Sequence, residues 1–372
     1  MIYLDYQATT PVAPEVVSAM EPWIADHFAN PHSPSRGGRE ADAAIEHARG
    51  QVTATLGLDD GSIAFTGSAT EAINWALKGT IEKAAPGRRR VVTLGSEHAA
   101  VLDSCSWLQG QGAELTVLPI GGDGLLDLDV LEAAMSDDVA IVAAMLVNNE
   151  IGVIQPIAEI AAIAHRHGAL MLCDAVQGFG RIAIPRGPDL VAISAHKIHG
   201  PKGIGALWMG DECQPAPFIH GGGQERGLRS GTLAPAACVG FGVAAALAAE
   251  RMSSDFEHVQ ALFESAHQTL GEAWVVNGSV EARYPGNLNL RREGLDAARL
   301  LADLRDVAFS LGSACASGSG RPSHVLKAIG LDQGSARSSI RLGFGRYTEH
   351  DELVAACERI RSAADAQANL PA

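Results

Sequence analysis

SAHKIHGPKGIG, residues 194–205, is the stretch that decides the fold. An apolar run at 190–193 precedes it and predicts a buried strand, and a turn rich in glycine and proline leads to a second strand at 205–209. Lys197 therefore falls at the end of a buried strand, where desolvation disfavours its ammonium. Such a lysine is paired, has reacted, or extends its ammonium into solvent. Taken alone, the stretch favours the last alternative.

The rest of the chain alternates apolar strands with amphipathic helices. Strands are predicted at 63–65, 91–94, 115–118, 139–147 and 170–174, and helices at 15–28, 39–56, 68–84, 99–109, 128–135 and 157–167. This alternation predicts an α/β fold with a mainly parallel sheet. In such a sheet the site lies beyond the carboxyl ends of the strands, where His98, Asn149, Asp174 and Lys197 fall.

The C-terminal part predicts a second, smaller α+β domain. A glycine-rich loop at 220–232 leads to a long helix at 235–274. Strands then follow at 286–290, 307–309 and 338–342, and helices at 296–303, 322–329 and 349–366. We place the boundary near Met252, so that residues 13–252 form the large domain. The small domain then takes 253–372 together with 1–12, which is predicted to be an extended polar arm.

Composition and charge limit the partners of this chain. The formal net charge of its 372 residues is -15, which argues against nucleic acid as the main partner. No run of about 18 apolar residues predicts a membrane span. The N-terminus lacks the pattern of a signal peptide, so a cytoplasmic location is expected. The six cysteines form no CxxC pair, so no metal site is expected.

The acid and the lysine at neighbouring strand ends match the needs of pyridoxal phosphate. This cofactor requires a lysine that forms a Schiff base and a carboxylate that keeps the pyridine nitrogen protonated. Lys197 offers the first, and Asp174 offers the second. The alternative for Asp174 is a helix N-cap.

The cofactor also needs a phosphate cup and a partner for its ring. Ala69 and Thr70 at a helix N-terminus, with Ser194 and His196, offer the cup, because free N–H groups and the helix dipole favour an anion there. The alternative for that helix start is an ordinary N-cap. His98 is the candidate that stacks on the ring.

Nine motifs in this order resemble the cysteine desulfurases, which are pyridoxal phosphate enzymes of fold type I in the class V aminotransferase family. The resemblance covers nearly the whole chain. Its motifs are LDYQATTP at 4–11, SATEA at 68–72, EHAAVLD at 97–103, VNNEIG at 147–152, DAVQ at 174–177, SAHKIHGPKGIGAL at 194–207, HGGGQERGLRSGT at 220–232, GSACASGS at 312–319 and SSIRLGFGR at 338–346.

The resemblance implies further roles for individual residues. Asn149 and Gln177 would lie near the phenolic oxygen of the cofactor, and His98 would also move protons. Thr232 would reach the phosphate from the other subunit of a homodimer. Arg341 would hold the carboxylate of the substrate, as a guanidinium does well, with a surface salt bridge as the alternative.

Cys315 lies in a run of glycine, serine and alanine, which gives a structural cysteine little to pack against. The resemblance implies that its thiolate takes the sulfur of L-cysteine as a persulfide, so that L-alanine is released. An iron–sulfur scaffold or another acceptor thiol would then collect the sulfur. A transient contact of Cys315 with an iron–sulfur cluster is the one metal contact implied.

Two other functions stay open at this point, and a third is disfavoured. A selenocysteine lyase shares the cofactor chemistry, and a class V aminotransferase shares the fold. A non-catalytic scaffold would have no use for the lysine, aspartate, histidine, arginine and cysteine together. Some positions depart from the commonest family pattern, among them Gln7 and Gln224, but none removes a chemical group named above.

Overall fold

A seven-stranded sheet forms the centre of the computed structural model, which describes residues 1–312 and 323–368. Neighbours β8 and β7 run antiparallel, as do β8 and β2, and the remaining pairs are parallel. The mainly parallel sheet expected from the sequence is confirmed. From one edge to the other the strands are β2 (Gly61–Thr66), β8 (Gly205–Gly210), β7 (Leu190–Ser194), β6 (Leu170–Asp174), β5 (Val139–Met145), β3 (Arg90–Leu94) and β4 (Glu114–Leu118).

Helices cover both faces of this sheet. Because side chains alternate along a strand, Met171 and Cys173 of β6 join the core on one face and Leu172 joins the core on the other. All seven residues of β5 are buried, as expected for a strand covered on both sides. The helices between the strands are α3 (Ala69–Lys83), α4 (Ala99–Gly110), α5 (Leu128–Ala134) and α6 (Ile157–Arg166).

Four further helices pack outside these layers. They are α1 (Pro14–Ala25), α2 (Arg36–Leu56), α7 (Pro235–Leu270) and α11 (His350–Ala368). The sequence predicted that α7 continues to residue 274, but it ends before Gly271, whose φ of 84° an L side chain rarely adopts. Within the described residues α7 alone is long and apolar enough to match a membrane span, yet Phe241, Ala244 and Ala248 pack inside the molecule as in the core helix of a globular protein.

The C-terminal part contains a four-stranded antiparallel sheet. Its order is β12 (Ser310–Leu311), β13 (Ser339–Gly343), β10 (Asn287–Arg291) and β9 (Val275–Val276). The single strand predicted at 307–309 is wrong, because the chain changes partners at Phe309 and forms β11 (Val307–Ala308) before β12. Three short helices complete this part, α8 (Ala297–Asp303), α9 (His324–Ala328) and α10 (Gln333–Arg337).

The N-terminal arm is enclosed by the protein, although the sequence predicted a polar extension. Its first strand, β1 (Ile2–Tyr3), pairs in parallel with β11. Leu4, Tyr6 and Gln7 are each at most 3% exposed. The arm packs so closely on β13 that a Cβ at Gly343 would clash with the side-chain oxygen of Gln7. It thereby links the small sheet to the carboxyl ends of the large one.

Candidate functional site

A cavity of about 370 Å³ opens where β5, β6 and β7 end. Met145, Asp174 and Ser194, the last residues of these strands, all line it. The rule that such a site lies at the carboxyl ends of parallel strands therefore holds. Ten residues predicted from the sequence meet there: Ala69, Thr70, His98, Asn149, Asp174, Gln177, Ser194, His196, Lys197 and Arg341.

Lys197 ends a three-residue 3₁₀ turn that directly follows β7. Its Nζ donates to the carbonyl oxygens of Gln7 at 2.7 Å and Ala8 at 2.8 Å. The partly buried ammonium is therefore paired with the N-terminal arm, and the alternative of a lysine that only reaches solvent does not hold. An amine in this position meets any electrophile that enters the cavity.

Asp174 places a carboxylate at the inner end of the cavity. Its Oδ1 accepts a hydrogen bond from the N–H of Val176 at 3.0 Å. Burial raises the pKa of Asp174 above its ordinary value, and the nearby His98 and Lys197 counteract that rise. Such a carboxylate gains from any cation or protonated ring nitrogen bound beside it.

His98 is the N-cap of α4 and lies at the edge of the cavity. Its Nδ1 accepts a hydrogen bond from the N–H of Ala100 at 3.0 Å. In the neutral ring the proton must therefore sit on Nε2. The helix start thus fixes both the orientation and the tautomer of this imidazole.

The start of α3 lines the cavity with Ser68, Ala69 and Thr70. Ser68 is the N-cap, and its Oγ accepts from the N–H of Glu71 at 3.2 Å. The ordinary N-cap expected at this helix is thus present. The first N–H groups of a helix have no intrahelical acceptor, so those of Ala69 and Thr70 suit an anionic group.

His196 lines the same end of the cavity in its neutral form. Its Nδ1 lies 3.2 Å from Thr9 Oγ1. Burial lowers the pKa of His196 to about 4, and the charges of Lys197, Lys202 and Arg181 add to this effect. The imidazole is therefore uncharged at neutral pH and offers an N–H donor to an anion.

Gly205 allows β8 to approach the start of α3. A Cβ at this position would lie 2.6 Å from the carbonyl carbon of Ser68 and 2.7 Å from the nitrogen of Ala69. These are backbone atoms, which cannot rotate away. The position of the N–H groups at the start of α3 therefore depends on a glycine in β8.

We expect Gly205→Ala to lower the free energy of unfolding by about 2–3 kcal/mol, because the clash is with backbone. Gly50→Ala is the matched control, since Gly50 lies inside α2 with open space around it. It should raise stability by about 1 kcal/mol. Urea unfolding of both variants measures the difference, and equal stability would contradict the close approach.

Arg341 enters the cavity from β13 of the small sheet. Its Nη2 donates to Asp5 Oδ1 at 2.8 Å, and its Nη1 donates to the carbonyl oxygen of Asn149 at 2.9 Å. The salt bridge that was the alternative for Arg341 is therefore present, but it lies largely inside the protein and not at the surface. The Nε has no hydrogen-bond partner among the described residues. A buried donor of this kind suits an incoming carboxylate.

Two predicted site residues stand apart from these. Thr232 is exposed and does not line the cavity of its own chain. Cys315 lies in 313–322, outside the described residues. The sequence prediction also missed Asp5 and Gln7, which line the cavity from the arm. An acid between the apolar Leu4 and Tyr6 was the available signal for a buried, paired side chain at Asp5.

Comparisons with known proteins match nearly the whole chain to one family. Residues 2–355 match the family described as Aminotransferase class-V. Proteins named cysteine desulfurase IscS from Rickettsia rickettsii and Rickettsia bellii are each 43% identical to this chain. The matches cover 98% and 97% of this chain and 91% and 90% of those relatives.

Solved structures share this architecture. A structure titled NifS-like protein is 32% identical, with a TM-score of 0.90 over 98% of this chain and 99% of its own. A structure titled SspA in complex with cysteine is 34% identical, with a TM-score of 0.83 over 94% of this chain and all of its own. Their folds therefore match the one described above.

Proposed function

The chain belongs to the class-V aminotransferase family, among its cysteine desulfurases, and on that premise we propose that it uses pyridoxal phosphate to convert L-cysteine to L-alanine. The observation that carries the proposal is that Lys197, Asp174 and Arg341 line one cavity. An amine, a buried carboxylate and a guanidinium there fit the aldehyde, the ring nitrogen and the substrate carboxylate. When bound, this cofactor supplies an electron sink for the bonds of an amino acid.

The residues at the strand ends would hold the cofactor. Lys197 Nζ would bind its aldehyde carbon, and Asp174 would pair with its ring nitrogen. The carboxylate, whose pKa is raised by burial, would then regain a partner of opposite charge. His98 would lie against the ring, and its Nε2 would take and return protons.

Polar groups around the rim would fix the orientation of the cofactor. Ala69 and Thr70 would bind the phosphate with their N–H groups, and Ser194 and His196 with their side chains. Thr232 would reach the same phosphate from the other subunit of a homodimer. The side-chain amides of Asn149 and Gln177 would face the phenolic oxygen.

We expect Asp174→Asn to lower turnover by about 10²-fold, since the ring nitrogen loses its charge partner. The stability of the apoprotein should stay the same or rise, because the amide removes a carboxylate whose ionisation burial disfavours. Alanine formation and thermal unfolding without cofactor measure the two effects. A parallel fall of both would assign Asp174 a structural role instead.

Cys315 would be the sulfur acceptor. The bond between Cβ and sulfur of L-cysteine breaks and an S–S bond forms on Cys315. Cβ keeps the electron pair and gains a proton, so carbon is reduced while sulfur is oxidised to the persulfide. The five described cysteines are buried, and burial raises their thiol pKa values, for example to about 12 for Cys213. Among the described residues no thiol is therefore ready to replace Cys315.

The same proposal extends to the location, the partners and the domains of the enzyme. It would act as a cytoplasmic homodimer and deliver sulfur to an iron–sulfur scaffold or to another acceptor thiol. Residues 13–252 would form the large cofactor-binding domain. Residues 1–12 and 253–372 would form the small domain that carries Cys315.

Product analysis tests the function. The purified protein, loaded with pyridoxal phosphate and given L-cysteine, should form alanine and protein-bound sulfane sulfur in equal amounts during the first turnover. A second arm supplies selenocysteine. A keto acid product, or turnover of selenocysteine alone, would contradict the proposal and favour an aminotransferase or a selenocysteine lyase.

A further inference from the structure

Arg181 closes a ring of hydrogen bonds behind Lys197. It lies in the segment between β6 and β7, shortly after Gln177, and is partly buried. Its Nη1 donates to Gln177 Oε1 at 2.6 Å, and its Nη2 donates to the carbonyl oxygen of Lys197 at 2.7 Å. One planar guanidinium therefore connects two residues of the cavity.

The other half of the ring passes through the N-terminal arm. Gln177 Nε2 donates to the carbonyl oxygen of Gln7 at 2.9 Å, and Lys197 Nζ donates to the same oxygen at 2.7 Å. The amide of Gln177 therefore has one favourable orientation, with its oxygen towards Arg181. Reversing the amide would place its NH₂ against the guanidinium and its oxygen against a carbonyl.

In the part of the chain that the structure describes, no acid forms an ion pair with Arg181. In the ranges 1–312 and 323–368 none of the recorded ion pairs includes this arginine, whose described partners are amide and carbonyl oxygens. Its ring contact is Tyr284, with the guanidinium carbon 5.4 Å from the ring centre. Burial lowers the pKa of Arg181 from its ordinary value, which still leaves an arginine charged at neutral pH.

We propose that Arg181 is a positioning residue of the proposed reaction, which fixes the amide of Gln177 and the main chain of Lys197 and holds a positive charge behind them. The inference rests on the proposed function. A nearby cation disfavours protonation of Lys197 Nζ when that nitrogen is bonded to the aldehyde carbon of the cofactor, so it favours the unprotonated form at a given pH.

Other charged or titratable groups line the cavity with Lys197 or lie near Arg181 and His196, and each stays unchanged in the variants below. They are Asp5 of the arm, His98 of α4, Asp174 of β6, His196, His199 and Lys202 of the turn after β7, Tyr284 before β10, and Arg341 of β13. The inference therefore concerns the difference in titration midpoint between variants and not the midpoint of any one protein.

A pH titration of the visible absorbance tests this inference on the protein loaded with pyridoxal phosphate. We expect Arg181→Met to move the midpoint of the titration upwards by about one pH unit, since the cation is lost. Arg181→Lys keeps the positive charge but loses the pair of donors on the planar guanidinium. The midpoint of its titration should therefore stay near that of the parent protein. Both variants should bind the cofactor about tenfold more weakly than the parent protein, because at least one of the two fixed donors of Arg181 is gone in each.

Arg283→Met is the matched control. Arg283 is buried, donates only to backbone carbonyls among its recorded bonds, and does not line the cavity. Its replacement should leave the midpoint unchanged, whatever it does to stability. Should Arg181→Met fail to fold, Arg181→Gln, which removes the charge and keeps a donor, carries the same expected shift.

Three outcomes would overturn the inference. They are an unchanged midpoint in Arg181→Met, an equal shift in Arg181→Lys, and an equal shift in Arg283→Met. If the parent protein binds no pyridoxal phosphate, the proposed function fails and the inference falls with it. If the parent protein titrates normally and the Arg181 variants have the same midpoint, the inference is overturned and the proposed function stands.

Discussion

Cys315→Ser is expected to abolish alanine formation from L-cysteine while the cofactor remains bound. Serine has nearly the size and polarity of cysteine, but its hydroxyl cannot form a persulfide. Lys197 and the groups that line the cavity are unchanged, so the visible absorbance should persist. We expect turnover to fall by about 10³-fold or more, which corresponds to about 4 kcal/mol in the activation barrier.

Cys213→Ser is the control for this substitution. Cys213 is 6% exposed, and burial raises the pKa of its thiol to about 12, so it holds no reactive thiolate at neutral pH. This variant should retain activity and a labelled persulfide. With selenocysteine, Cys315→Ser should lose less activity, because selenium leaves without attack by a thiol more readily. Full desulfuration of L-cysteine by Cys315→Ser would refute the role of Cys315 and leave the cofactor site standing.

Lys197→Ala is expected to remove both the visible absorbance of the covalently held cofactor and the turnover. No side chain at position 197 could then bind the aldehyde, and the carbonyl oxygens of Gln7 and Ala8 would each lose one donor. We expect turnover to fall by about 10⁴-fold or more, as for other residues that form the covalent bond. Absorption spectra and alanine formation measure the two effects.

The exposed Lys202, five residues further on, provides the control. Lys202→Ala should keep the cofactor absorbance and most of the activity, because its side chain does not line the cavity. Normal turnover in Lys197→Ala, or the same loss in both variants, would show that Lys197 is not the residue that holds the cofactor.

The sequence was sufficient to predict a site residue where that residue lies at or just after the end of a strand. Lys197, Asp174 and His98 come after apolar runs, and parallel strands bring their carboxyl ends to one edge. Local spacing therefore predicted a three-dimensional cluster. The short strands β9 and β11 and the helix α10 were missed or misplaced, since two to five residues carry too little periodicity.

The sequence was insufficient where the partner lies far along the chain. Asp5 is paired with Arg341 across 336 positions, and Gln7 accepts from Lys197 across 190. The local sequence pattern around either residue does not indicate its partner. Arg181 lies a few residues after Asp174 and Gln177, which the sequence predicted as site residues. The direction of its side chain towards Gln177, however, depends on the turn that follows β6. The roles of Thr232 and Cys315 stay predictions.

The enclosed N-terminal arm has a consequence for the order of events during synthesis. The arm contributes Asp5 and Gln7 to the cavity, but β1 pairs with β11, which begins at Val307. About 300 residues must be made before that partner exists, which takes roughly 15 to 60 s at ordinary ribosome speeds. Asp5 and Gln7 therefore take their places in the cavity only after β11 has been made, and the cavity cannot be complete before that point.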